Sequence, residues 1–279
     1  MSDLVSVSST IKLNDGNSIP CVGFGVYQSE AGFETENAVL CALKDGYRHI
    51  DTASCYYNEE SVGLAIKKSG IPRDQIFVTT KLWDTDHGYE KTKQALQTSL
   101  DKLGLEYVDL YLIHSPLPGK ELRLASWKAL EELKEAGKIK SIGVSNYGVH
   151  HLKELLDNCT VKPVINQIEI TPYLRRDDIE TYCQEHDIII ETFSPLTMGL
   201  KLNEKELIDI GKQYSKSSAQ VLIRWAIQRG YIPLPKSVTP NRIKSNSELF
   251  DFTLSEKDMT TLNSLNEDFV TEWNPTTCP

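Results

Sequence analysis

A short β-rich run followed by a longer amphipathic stretch recurs along this chain, and that alternation limits the fold more than any other feature. The runs span Cys21 to Val26, Tyr47 to Asp51, Ile76 to Leu82, Val108 to His114, Ile139 to Ser145, Val164 to Ile170, Ile188 to Phe193 and Tyr231 to Lys236. Residues near their ends, Gly25, Asp51, Lys81, His114, Ser145, Gln167, Phe193 and Lys236, stand 26, 30, 33, 31, 22, 26 and 43 residues apart. Those steps are close to the ~30 residues that a strand, a crossover helix and the next strand need. Helical patterns fill the intervals, clearest over Thr35 to Lys44, Tyr89 to Leu103 and Leu122 to Ala136, the last stopped by Gly137.

Eight runs in this alternation predict an α/β chain folded as a (β/α)8 TIM barrel. A doubly wound sheet would need a different element count or a break between halves. Asn14-Asp15-Gly16 between two extended pieces predicts a β-hairpin cap ahead of the barrel. The long last step holds an extra helix, Glu204 to Tyr214 ahead of Ser218 to Arg229, and another, Glu256 to Leu265, precedes an irregular C-terminal tail. With no linker or shift of composition to divide them, residues 1–279 read as a single domain.

A formal charge of −9 argues against nucleic acid or an anionic membrane surface as partner. The six cysteines form no CxxC pair and read as reduced thiols. No segment approaches the ~20 apolar residues of a membrane span, so a cytoplasmic location is expected, with the chain a monomer or a weak dimer. His150-His151 invite a metal reading, but neighbouring positions on a helix diverge by ~100° and share one ion poorly, so no metal is expected.

In such a barrel the loops at the C-terminal ends of the strands build the site. Asp51 closes the second run with Tyr56 just beyond it, Lys81 falls near the end of the third, and His114 closes the fourth. Taken singly these residues read as a helix cap, a packing tyrosine, a surface lysine and a structural histidine; their coincidence at adjacent strand ends points to one site. A cation beside a tyrosine favours the tyrosinate, so Lys81 is expected to lower the Tyr56 phenol from its usual ~10 and make it a usable general acid. Tyr57 reads as a pocket or packing neighbour, and Asn58-Glu59 as the start of the next helix.

This set, within DTASCYYNE (51 to 59), TTKLW (79 to 83) and LYLIHSP (110 to 116), resembles the catalytic tetrad of the aldo-keto reductases. The likeness continues through GFGVY (23 to 27), GVSN (143 to 146), NQIE (166 to 169), FSPL (193 to 196) and LPKSVTPNRIKSN (234 to 246), and covers nearly the whole chain. It implies NADPH-dependent reduction of an aldehyde or ketone to an alcohol. Tyr56 would protonate the carbonyl oxygen, Lys81 and Asp51 would tune it, and His114 would orient the carbonyl.

Gly23-Phe24-Gly25 does not extend to a dinucleotide fingerprint, because position 28 is Gln. The resemblance instead implies that Ser145, Asn146 and Gln167 hold the nicotinamide amide, that Phe193 stacks on its ring, and that Ser194 and Leu196 meet the pyrophosphate. Gly25 would turn beside the cofactor. Lys236, Ser237 and Arg242 make a basic patch suited to the 2′-phosphate of NADPH, and Asn246 would meet the adenine. The family more often has Tyr where Phe193 stands, and often Glu at Ser245.

Tyr27, Trp83, Ser115 and the tail's Trp273 are expected in the substrate pocket. The short segments after the fourth and seventh strands suggest an open site, similar to the short-looped microbial and fungal branch with its diketogluconate, ketoester and aldehyde reductases. Ketoesters, diketones and 2-ketoaldehydes are candidate substrates. The alternatives are a nicotinamide-binding redox sensor or interaction protein of the same fold and, more remotely, a Schiff-base lyase using Lys81.

Overall fold

A computed structural model describes residues 4–279. Two short strands, β1 (Thr10–Lys12) and β2 (Ser18–Pro20), pair antiparallel across the expected turn. Gly16 supplies the positive φ (88°) that this turn requires. The strands β3 (Phe24–Gly25), β4 (His49–Asp51), β5 (Phe77–Leu82), β6 (Val108–Ile113), β7 (Ile139–Ser145), β8 (Ile165–Glu169), β9 (Ile189–Phe193) and β10 (Ile232–Pro233) then form one parallel sheet in sequence order. The N–H groups of Gly23 and Gly25 donate to the carbonyls of Pro233 (3.0 Å) and Pro235 (3.2 Å), joining the first strand to the last. The sheet is thereby closed into the predicted barrel.

The end strands are shorter than the sequence suggests. Pro233 and Pro235 have no N–H to donate, so β10 makes only half of a normal ladder. The central strands, whose Val, Ile and Leu residues are buried on both faces, keep nearly their expected lengths.

Helices follow the strands: α1 (Phe33–Lys44), α2 (Glu59–Ser69), α3 (Tyr89–Leu103), α4 (Lys120–Glu135), α5 (Val149–Leu156), α6 (Asp177–Glu185), α7 (Lys205–Tyr214), α8 (Ser218–Gln228), α9 (Pro240–Ser245) and α10 (Glu256–Asn263). α3 shows why they form and where they dock: Thr92, Leu96, Ser99, Leu100 and Leu103 make one buried stripe at helical spacing, and Gly104 ends the helix in the left-handed region. α8 starts at a capping box in which Ser217 and Gln220 satisfy each other's backbone N–H. Gly63 of α2 is a close-approach site, since any Cβ there would strike the Leu103 carbonyl.

The hairpin is a floor. Leu13 and Ile19 are buried against Phe77, Leu110, Leu112, Ile165 and Ile232 at the N-terminal end of the strands, each burial contributing roughly 1.5–3 kcal/mol. Asn14 donates to the carbonyls of Pro163 (2.9 Å) and Asp187 (3.0 Å), and Lys134 pairs with Asp15 (2.8 Å). With this end covered, the barrel opens where the strands' C-terminal ends lie.

After α10 the chain crosses back over that opening. The N–H groups of Glu267 (3.2 Å) and Phe269 (3.0 Å) donate to the Tyr173 carbonyl. The N–H groups of Thr271 (2.9 Å) and Glu272 (3.4 Å) donate to the Glu169 carboxyl at the end of β8. Further on, His150 (2.7 Å) and His151 (2.9 Å) both donate to the Cys278 carbonyl, and Arg123 donates to the Pro279 carbonyl (2.9 Å). The two histidines therefore converge on one oxygen, contrary to the sequence argument from helical angles. They lie in the first turn of α5, where the ends of their side chains can both reach the tail.

Among the described residues no helix is long and apolar enough to cross a membrane. All six cysteines are free.

Candidate active site

The register of the strands places the polar residues. Asp51 lies opposite Thr79 on β5, Lys81 opposite Leu112 on β6, and Gln167 opposite both Ser145 on β7 and Glu191 on β9. Side chains that share the inward face of a barrel at one level meet across its interior. Lys81 Nζ is 2.7 Å from Asp51 Oδ1, 2.9 Å from the Thr52 carbonyl and 3.4 Å from the Tyr56 hydroxyl. Three donors thus have three acceptors, and the lysine is fully buried.

Tyr56 reaches this point from a single 3₁₀ turn, Ser54–Tyr56, which Ser54 fixes by donating to the Lys81 carbonyl (3.0 Å). The expectation about its acidity is overturned. Burial first, and then the Asp51 carboxylate, hold the phenol well above its ordinary value. The charge of Lys81 is already matched by Asp51 at 2.7 Å, so little of it remains to favour a tyrosinate.

His114 packs edge-on against Tyr56 (5.8 Å between ring centres) and Trp83 (5.1 Å). Burial and the Lys81 charge keep its imidazole well below the usual range, hence neutral. Its Nδ1 is 3.6 Å from the Cys55 sulfur, and burial pushes that thiol up to about 11. A protonated thiol can donate to Nδ1, which leaves the ring proton on Nε2.

Beneath these groups Gln167 Nε2 donates to Asp51 Oδ2 and to Glu191 Oε2, both at 2.9 Å. The reverse amide orientation would set a carbonyl oxygen against two carboxyl groups, so the Gln167 carbonyl is left for the cavity. Glu191 is fully buried, and burial first, then the Asp51 charge, push its carboxyl up to about 8. Ser145 donates to the Gln167 backbone carbonyl (2.8 Å), and Asn146, in the left-handed region (φ 63°), donates to the His114 carbonyl (3.0 Å).

Above them runs a cavity of about 800 Å³. One end holds Tyr27, Tyr56, Trp83, His114, Glu272 and Trp273. From there the lining passes Gly25, Ser145, Asn146, Gln167 and Phe193, then Ser194 and Leu196, and reaches Lys236, Ser237, Arg242, Ser245 and Asn246. Every residue expected at the cofactor lines this groove. The bend after β9 is shaped by three non-glycine residues in the left-handed region, Ser194, Thr197 and Met198 (φ 47°, 51° and 52°). Held conformations of this kind cluster at ligand clamps.

Two expectations fail. Ser115 is fully buried and donates to Asp84 (2.5 Å) instead of lining the cavity, because it lies past the end of β6 and turns back toward the β5 loop. Tyr57 is 81% exposed, its positive φ (57°) swinging it away from the pocket. α2 starts at Glu59 with Asn58 before it, as expected; the Asn58 side chain accepts from Thr52 (2.8 Å) and donates to the carbonyls of Val26 (2.9 Å) and Ser29 (3.1 Å), tying the start of α2 to the β3 loop. Residues that sequence reasoning missed are Cys55, Glu191 and Glu272. An acid inside the apolar run Ile188 to Phe193 was the one signal that could have pointed to Glu191.

A model of the aldo/keto reductase family matches residues 22–267. The chain belongs to this family. This aldo/keto reductase is 45% identical over 270 residues to the glyoxal reductase of Bacillus subtilis, an alignment covering 97% of each chain. An aldo/keto reductase crystal structure from Brucella melitensis superposes with a TM-score of 0.90 at 50% identity, covering 92% of this chain and 99% of that one. The Bombyx mori aldo-keto reductase solved in complex with NADP superposes with a TM-score of 0.91 at 36% identity, covering 95% of each chain.

Proposed function

We propose that this protein reduces small aldehydes and ketones to alcohols with NADPH, Tyr56 giving the proton. The observation that carries the reading is the position of the Tyr56 hydroxyl: it lines the cavity where the aromatic end meets the long groove, 3.4 Å from a lysine that is itself out of solvent. A raised phenol is a neutral donor throughout the physiological range, which suits protonation of a carbonyl oxygen.

The groove fits the dinucleotide. The Gln167 carbonyl, Ser145 and Asn146 offer an acceptor and polar neighbours for a carboxamide, Phe193 offers a ring face, and Lys236 and Arg242 offer cations at the far end. NADPH supplies the hydride that the carbonyl carbon receives. As negative charge grows on the carbonyl oxygen, the Tyr56 O–H transfers its proton to it, and the phenolate left behind keeps the hydrogen bond from Lys81 Nζ. Neutral His114 presents the Nε2–H to the same oxygen and fixes its direction. The Asp51–Lys81 pair holds that cation in place without exposing it. The trapped nitrogen speaks against a Schiff base at Lys81.

The name of the Bacillus subtilis relative and the small aromatic end support 2-ketoaldehydes, with β-ketoesters and aromatic aldehydes as further members of the class. Mixing protein and NADPH with a 2-ketoaldehyde, a β-ketoester and 4-nitrobenzaldehyde, and following NADPH absorbance, tests the reading. Turnover of at least one is expected. Tight NADPH binding with no turnover of any would instead favour the redox-sensor alternative. Arg242→Ala should raise the Kd for NADPH about 10- to 100-fold, the worth of a charge-assisted hydrogen bond, while leaving the Kd for NADH near wild type. Equal losses for both nucleotides would place the 2′-phosphate elsewhere.

A further inference from the structure

The tail places a carboxylate at the substrate end of the cavity. Glu272 lines that end beside Trp273, and the Trp83 and Trp273 rings meet edge-on at 6.3 Å. Glu272 Oε1 is buried and has no hydrogen-bond partner of normal geometry among the described residues. The groups that act on this carboxyl are Glu169, whose charge disfavours the ionised form, and the Tyr27 hydroxyl, which favours it by hydrogen bonding; no cation is among them. Burial and the charge of Glu169 hold Glu272 above the ordinary carboxylate range. Glu169 cannot turn away, because its own oxygens take the N–H groups of Thr271 and Glu272.

The cations of the cavity do not offset this. Lys81 is bound to Asp51 behind Tyr56, and Lys236 and Arg242 lie in the groove beyond β10, where Lys236 Nζ donates to the Gln28 carbonyl (3.2 Å). A substrate entering between Tyr27, Trp83 and Trp273 therefore meets aromatic faces and an unneutralised negative group. A second carboxylate brought into that space would be repelled and stripped of water at once, whereas an uncharged molecule with a hydroxyl or amide hydrogen would find an acceptor waiting.

From this geometry we infer that Glu272 selects uncharged carbonyl substrates and rejects those that carry a carboxylate. The inference rests on the carbonyl-reductase reading and narrows it. Oxo acids, diketogluconate among them, fall outside the range, and neutral 2-ketoaldehydes, ketoesters and hydroxycarbonyls fall inside it.

4-Nitrobenzaldehyde and 4-carboxybenzaldehyde are similar in size and differ in charge; the nitro compound is also the more reactive carbonyl, so the change in their ratio between wild type and variant isolates the charge. In the wild type, kcat/KM for the carboxylate should be about 10-fold or more below that for the nitro compound. In Glu272→Gln the ratio of the two should rise about 10-fold, mainly through the KM of the carboxylate, and Glu272→Asp should keep the wild-type ratio. Equal use of the two aldehydes by the wild type, or an unchanged ratio in Glu272→Gln, would overturn the inference. A binding readout keeps the two readings apart: with NADP+ present, benzoate and benzamide are titrated against the fluorescence of the pocket tryptophans. If neither aldehyde is turned over but benzoate binds only to Glu272→Gln, the selection stands and the reductase reading falls. If benzoate binds equally to both proteins, the selection falls whatever the turnover.

Discussion

Tyr56→Phe should lower kcat for carbonyl reduction about 10²- to 10⁴-fold, the usual worth of a positioned general acid, while the Kd for NADPH stays near that of the wild type. The two effects separate because the lost hydroxyl is the one proposed to meet the carbonyl oxygen, whereas the groove proposed for the nucleotide is lined by other residues from Gly25 to Asn246. Phe keeps the ring that packs on Tyr27 (5.0 Å) and His114 (5.8 Å), so the pocket should not collapse. Retention of more than a tenth of the wild-type kcat would mean that another group or a water supplies the proton. Tyr57 is a poor candidate, exposed as it is on the far side of the turn.

Lys81→Met is the second large effect, and it is one of stability as well as rate. The variant leaves Asp51, only 4% exposed, with its Oδ1 unpaired inside the barrel. Removing one partner of a buried ion pair costs about 3–5 kcal/mol, far more than the pair contributes relative to an apolar replacement. Urea unfolding followed by tryptophan fluorescence should show that loss. The double variant Asp51→Asn, Lys81→Met should recover much of it, since the uncompensated charge is gone, and yet remain inactive. Equal urea midpoints for the single and double variants would show that the pair is not held in the dry environment described above.

The barrel was legible because its signal is repetition: buried parallel strands need apolar runs, crossovers need helical lengths, and the two alternate. Strand ends were legible for the same reason, which is how Asp51, Lys81 and His114 came together before any geometry was known. What lay beyond reach depends on orientation after the strand. Ser115 follows His114 directly but turns into the protein, and Tyr57 follows Tyr56 but turns out of it. The acidity of Tyr56 was misjudged because a sequence places the cation near the phenol without revealing that Asp51 has already claimed it. Glu272 lies in an irregular tail with no period to read, and only the crossing of that tail over the opening gives it a role.

Side-chain ties at Asn266, Glu267 and Thr271 aside, that crossing is held by main-chain groups: amide hydrogens from Glu267, Phe269, Thr271 and Glu272, and carbonyl oxygens from Cys278 and Pro279. Such fastenings are indifferent to which side chains the segment carries. Positions 272 and 273 can therefore mutate freely without loosening the strap, and the strands that carry out the reaction need not change with them. A lineage built on this plan could acquire new diets by single substitutions at these two positions, with Tyr56 and Lys81 left untouched.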